Sequence, residues 1–207
     1  MLGKIGQINL GTTSGDIIYD ISKKEDIKNI VEIGTWNGMG STSCVIKGIK
    51  ESNTSKNFIS VELYPDMFNI ANSNLKEDIS YVKLLNGRII EHNDIYWFDH
   101  STIDFNTNDH ARLWYQKDIN LLTESKNVLD QLPEKIDFLI LDGGEYTTYP
   151  EWLVLKSRTR IVALDDSNIL KSSRIRKEIL ESGEYITIYD DLFDRNGFSV
   201  FEKIIYK

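Results

Sequence analysis

The sequence predicts an α/β fold, a doubly wound and mostly parallel seven-stranded sheet that ends in an antiparallel hairpin. Short apolar runs recur along the chain, each followed by a stretch with helical spacing. These runs lack the polar alternation of a half-exposed strand, so they read as strands buried on both faces. Further on the style changes: two strand-like segments flank Asp194, Arg195, Asn196 and Gly197, a turn cluster containing the Asn-Gly pair that favours tight hairpins.

In chain order, the five buried strands are Asn29 to Gly34, Asn57 to Glu62, Tyr81 to Leu85, Ile136 to Asp142 and Arg160 to Asp165. Between them, Ser41 to Lys50 places Val45, Ile46 and Ile49 on one helical face, and Pro65 to Leu75 opens with a proline suited to a first turn. Ile169 to Ser182 pairs Ile175 with Ile179 and is followed by Gly183, where a left-handed helix stop belongs. Alternation of this kind implies right-handed crossovers between parallel strands. Tyr185 to Asp190 and Phe198 to Ile205 form the closing hairpin. One stretch breaks the pattern. Glu91 to Asp118 is polar and aromatic together and too long for an ordinary α/β connection, so it is expected to act as a lid or substrate insertion. With three prolines, no repeat and no low-complexity tract, residues 1–207 are expected to form one domain.

The balance of 24 Lys and Arg against 32 Asp and Glu, a net charge of -8, opposes nucleic acid and anionic membrane as partners. Cys44 is the single cysteine and reads as a small core residue; it fits a reducing compartment. The start lacks an export signal, and no apolar run approaches the ~20 residues of a spanning helix, so a soluble cytoplasmic protein is expected.

Chemistry is expected where strands end. The stretch from Glu32 through Gly34, Thr35, Trp36, Gly38, Gly40 and Ser41 joins the first strand to the first of these helices, and its glycines allow close approach of a ligand. Trp36 occupies the place of the second glycine of a dinucleotide fingerprint, which disfavours a pyrophosphate against that turn. Glu62 ends the second strand, where it could accept two hydrogen bonds from a ribose diol. Asp142 follows the fourth strand, and Asp165 and Asp166 end the fifth. Three carboxylates converging on one sheet edge repel one another unless they are protonated or bridged by a cation such as magnesium or calcium. Alternatively, the run Asp165 to Asn168 caps the helix that follows.

The string EIGTWNGMGST, the acidic end of the second strand and the closing hairpin resemble the class I S-adenosylmethionine-dependent methyltransferases, which have a Rossmann-like sheet; the resemblance runs from about Asn29 to Ile205. It implies a cofactor site in which Gly34, Gly38 and Gly40, with Glu32, Thr35, Ser41 and Asp142 nearby, meet the methionine portion. Glu62 would bind the ribose, and Asn86, Gly87 and Arg88 would lie beside the adenine. The acidic strand ends are similar to the metal-dependent small-molecule O-methyltransferases, including the macrocin type, which implies Mg2+ on Asp142, Asp165 and Asp166 and a small hydroxylated acceptor such as a sugar or glycoside. Those enzymes place a lysine or aspartate base just after the fourth-strand aspartate; here Glu145 is the nearest substitute, so Asp142 and Glu145 are the expected catalytic pair, with His92, His100 and His110 behind them.

Tyr96, Trp97, Phe98, Trp114 and Tyr115 would either wall the acceptor site, anchor the insertion or make a contact in a homo-oligomer. Lys156, Arg158, Arg160, Lys171, Arg174, Arg176 and Lys177 form the one basic region, either a solvated helix face or a site for a phosphorylated substrate. Two rival readings stand beside the enzyme: a catalytically silent methyltransferase-like binding module, and a nucleotide-cofactor oxidoreductase.

Overall fold

The computed structural model describes residues 7–97 and 109–204. Among these, seven strands form one sheet: β1 (Asn29–Ile33), β2 (Asn57–Glu62), β3 (Lys83–Asn86), β4 (Ile136–Leu141), β5 (Thr159–Asp165), β6 (Tyr185–Asp191) and β7 (Phe198–Lys203). Their order across the sheet is β3-β2-β1-β4-β5-β7-β6. The first five pair parallel, and β7 runs antiparallel between β5 and β6. This is the predicted class, with strand ends displaced by a residue or two. From β1 the chain steps outward to β2 and β3, then crosses back to β4 on the other side of β1. That reversal opens a crevice beyond the carboxyl ends of β1 and β4, where α/β sheets bind ligands.

Among the described residues six helices cover the sheet: α1 (Thr13–Lys23), α2 (Ser41–Lys50), α3 (Pro65–Asn74), α4 (Asp109–Glu124), α5 (Thr148–Leu155) and α6 (Leu170–Ser182). Successive strand residues alternate between two cores, as a pleated strand requires. Ile30 of β1 and Phe138 and Ile140 of β4 pack with Ile18 and Ile21 of α1 and Ile46 and Ile49 of α2. Val31, Ile33, Leu139 and Leu141 face the opposite way, toward Leu122 of α4, Trp152 and Leu155 of α5, and Ile175 and Ile179 of α6. Cys44 is buried in the first of these cores, and burial pushes its thiol up to about 12, so it is an inert packing residue.

The helix α1 was not anticipated. Its start is fixed by Thr12, whose side chain accepts from the Gly15 amide at 3.1 Å. As predicted, α6 stops at Gly183, which adopts φ +67°. Asp165 to Asn168 do not cap it: Ile169 is the N-cap residue and makes no side-chain cap bond. The long insertion contains a 3-10 turn over His92–Trp97 and much of α4. Phe98, His100 and the side chains of Tyr96, Trp97 and His110 lie outside the described residues, as does Ile205. No helix among the described residues is long and apolar enough to cross a membrane.

Candidate active site

The crevice holds a cavity of about 510 Å³, a size usual for small-molecule sites. Its floor begins at Gly34, just past β1. Gly34 has φ +97°, and a Cβ there would stand 2.1 Å from the carbonyl oxygen of Asp142. Only glycine lets the ends of β1 and β4 come this close. Two residues on, Trp36 also adopts a left-handed conformation (φ +51°) and lines the cavity.

Glu62 holds that turn. Its Oε2 accepts from the Trp36 amide at 2.6 Å and its Oε1 from the Tyr64 amide at 2.9 Å, so one carboxylate ties the loop after β1 to the approach to α3. Burial pushes its carboxyl up to about 7, while the two amides pull the other way. Each oxygen keeps a second lone pair for a hydroxyl donor.

Of the predicted residues, Gly34, Glu62, Gly87, Asp142, Glu145 and Asp166 line the cavity. Glu32, Thr35 and Ser41, also expected near a cofactor, lie outside this lining. Glu32 lies on the same side of β1 as Ile30, buried behind the loop, and accepts from Ser41 Oγ and Thr42 Oγ1 at 2.6 Å each and from Ser60 Oγ at 2.5 Å. Thr35 Oγ1 lies 2.5 Å from Ser60 Oγ. This internal network supports the glycine loop. Gly38 packs against Leu75, Gly40 serves as the N-cap of α2, and neither lines the cavity. Asn86 donates to the Glu62 carbonyl at 2.8 Å. Arg88 turns away to the carbonyls of Ser125 and Ile90, both at 3.0 Å, and pairs with Glu91. Burial raises the Glu145 carboxyl above its usual range.

The insertion meets the cavity through α4. Ala111 and Trp114 line it, and Tyr115 meets Tyr146 edge to face at 5.2 Å. Tyr64 Oη donates to Asp118 Oδ1 at 2.7 Å, and Lys117 Nζ sits 4.2 Å from the Tyr64 ring. Trp114 therefore walls the site while Tyr115 anchors the helix. Burial pushes the Asp118 carboxyl up to about 6. His92 is not in the lining.

The predicted acidic triad is assembled: oxygens of Asp142, Asp165 and Asp166 lie within 4.8 Å of one another. What they meet was read differently in the sequence. Lys171, assigned to the basic region, points inward from α6, with Nζ 2.6 Å from Asp142 Oδ1, 3.1 Å from Asp166 Oδ2 and 3.8 Å from Asp165 Oδ2. The three carboxylates outweigh desolvation and hold its ammonium above the usual lysine range. From the hairpin, Arg195 reaches Asp165 at 3.1 Å and Asp166 at 3.6 Å. Much of the remaining basic region is paired as well: Arg160 with Asp26 and Glu202, Arg176 with Asp190, and Arg174 and Lys177 with glutamates one turn on.

Sequence reasoning also missed Glu151. It lines the cavity from α5, and its Oε2 is buried with no hydrogen-bond partner. Burial pushes its carboxyl from 4.5 up to about 8. A raised folded value means that the stability it contributes is complete below about pH 4.5 and is lost as pH rises through about 8. The Tm of the unliganded protein is accordingly expected to fall between pH 5 and pH 9. In Glu151→Gln, which cannot ionise, thermal denaturation across the same range should show a smaller fall; an equal fall would exclude Glu151 as a source.

No protein-family model and no curated protein matches this sequence. Solved structures do share its fold. A putative caffeoyl-CoA O-methyltransferase from Staphylococcus aureus superposes with a TM-score of 0.62 at 14% identity, over 97% of this chain and 86% of that one. The O-methyltransferase from Bacillus cereus, in complex with SAH, gives 0.61 at 14% identity over 97% and 84%. TomG from Streptomyces achromogenes, an O-methyltransferase involved in tomaymycin synthesis and solved with SAM, gives 0.59 at 13% over 96% and 82%. The chain thus has the fold of these methyltransferases along nearly its whole length, as the glycine loop and the closing hairpin led one to expect.

Proposed function

We propose that this protein is an S-adenosylmethionine-dependent O-methyltransferase that methylates a hydroxyl of a small molecule such as a sugar or glycoside. The observation that carries the reading is the convergence of Gly34, Glu62 and Asp142, from three different strand ends, on one cavity. The lone pairs left on Glu62 suit two ribose hydroxyls, and Gly34 lets the ends of β1 and β4 meet at the cavity floor. When bound, the cofactor supplies a methyl group on positively charged sulfur, and its transfer to the acceptor oxygen breaks the carbon-sulfur bond, leaves neutral sulfur and releases one proton. Glu145 lines the cavity and has a raised carboxyl, which suits it to take that proton. Residues 91–118 are assigned as the lid or substrate insertion, of which Ala111 and Trp114 line the cavity, within one domain spanning residues 1–207.

The resemblance also implies magnesium on Asp142, Asp165 and Asp166. The triad supports a cation at this edge, yet as it stands it does not fit a resident divalent ion, because Lys171 and Arg195 already engage at least one oxygen of each carboxylate.

Titration calorimetry with S-adenosylmethionine and S-adenosylhomocysteine tests the cofactor half. A folded sample that binds neither defeats the reading, and one that binds a nicotinamide cofactor instead belongs to the oxidoreductases. A binding module would take up cofactor yet show no methyl transfer to any hydroxylated acceptor.

A further inference from the structure

Each carboxylate of the triad accepts from an N–H donor supplied by the chain. Asp142 Oδ1 takes Lys171 at 2.6 Å. Asp166 takes Lys171 on Oδ2 at 3.1 Å and Asn196 on Oδ1 at 3.0 Å. Asp165 Oδ2 takes Arg195 at 3.1 Å. Three carboxylates therefore already share two fixed positive charges. A magnesium ion would need several of these same oxygens at about 2.1 Å in near-octahedral array. To enter, it would have to expel an ammonium whose side chain is only 7% exposed. That ammonium would be left in the interior without its partners, which is strongly unfavourable.

We propose that Lys171 replaces the divalent cation at this sheet edge: its ammonium bridges Asp142 and Asp166 and presents a remaining N–H to the acceptor oxygen. The proposal rests on the methyltransferase reading for the identity of that acceptor. Lys171 lines the cavity, and two of its three N–H donors are engaged at hydrogen-bond distance, whereas Asp165 at 3.8 Å is beyond it. One donor holds one oxygen. A metal ion with two open positions chelates a vicinal pair, so this site selects an acceptor by a single hydroxyl and has no need of a diol. The positive charge beside that oxygen favours the build-up of negative charge on it as the proton leaves for Glu145.

Electron paramagnetic resonance of Mn2+ titrated into the unliganded protein tests the replacement without any activity assay. The wild type should leave Mn2+ free at millimolar concentration. Lys171→Ala and Lys171→Met, which strip the ammonium from the triad, should gain a site at least tenfold tighter that Mg2+ competes for, and Lys171→Arg should not. Micromolar Mn2+ binding by the wild type overturns the proposal, and that measurement needs no variant to fold. So does a folded Lys171→Ala that binds Mn2+ no better than the wild type. Turnover of the wild type should be unchanged by a chelator. Calorimetry with S-adenosylhomocysteine on the same samples separates the two ideas: loss of cofactor binding sinks the methyltransferase reading, while Mn2+ binding alone sinks the role given to Lys171.

Discussion

Replacing Glu62 with alanine is expected to weaken binding of S-adenosylhomocysteine about 100-fold, from the loss of roughly 3 kcal/mol for two hydroxyl donors onto one charged acceptor. The loss has two sources. The carboxylate disappears as an acceptor, and the amides of Trp36 and Tyr64 lose the partner that holds the loop in place. Glu62→Gln keeps the shape and one carbonyl acceptor and should lose less, about tenfold. Binding should also strengthen from pH 6 to pH 8.5 in the wild type, because a carboxyl raised to about 7 must ionise to accept both hydroxyls. Stability runs the other way for the same group. Its contribution to the unliganded fold is complete below about pH 4.5 and fades as pH passes about 7. Calorimetry on folded variants decides the matter: unchanged affinity in Glu62→Ala would remove Glu62 from the site.

The second large effect concerns stability. Glu32→Ala is expected to cost about 4 kcal/mol, since it leaves the hydroxyls of Ser41, Thr42 and Ser60 without their shared acceptor and opens a void under the glycine loop. For a domain of this size that is roughly 12 °C in Tm. Glu32→Gln keeps one acceptor and the volume, so a loss of about 1–2 kcal/mol is expected. Denaturant titration distinguishes the two, and an alanine variant as stable as the wild type would show that the network carries no weight. Because Glu32 is buried behind the loop and outside the cavity lining, cofactor affinity per folded molecule should change far less than in Glu62→Ala.

Much of the sheet was legible because buried parallel strands are written as contiguous apolar runs, and the ends of those runs place Glu62, Asp142, Asp165 and Asp166 at one edge whatever covers the faces. The helix α1 was not legible. Its opening Thr, Ser and Gly residues look like loop, and its apolar face, led by Ile18 and Ile21, is short. At Glu32 the available signal was parity: a residue two positions from Ile30 in the same strand faces the same core, behind the ligand crevice. Lys171 was beyond reading. Its immediate neighbours, Leu170 and Ser172, carry no charge, and its nearest partner, Asp142, lies 29 residues earlier at a strand end. Local charge patterning describes a helix face and cannot say which of its lysines turns inward. Arg195 had the same disguise, a turn residue whose partners are about 30 positions away.

The hairpin that carries Arg195 and Asn196 has a consequence for the newborn chain. Strand β7 lies inside the sheet, between β5 and β6, although it follows both in sequence. While the ribosome is still making the hairpin, the finished part of the sheet ends at β5 with its edge bare, and Asp165 and Asp166 face Asp142 with Lys171 as their sole countercharge among these partners. The crevice becomes electrostatically complete only when residue 195 arrives. A chain clipped before the hairpin is therefore expected to bind S-adenosylhomocysteine less tightly than the full chain.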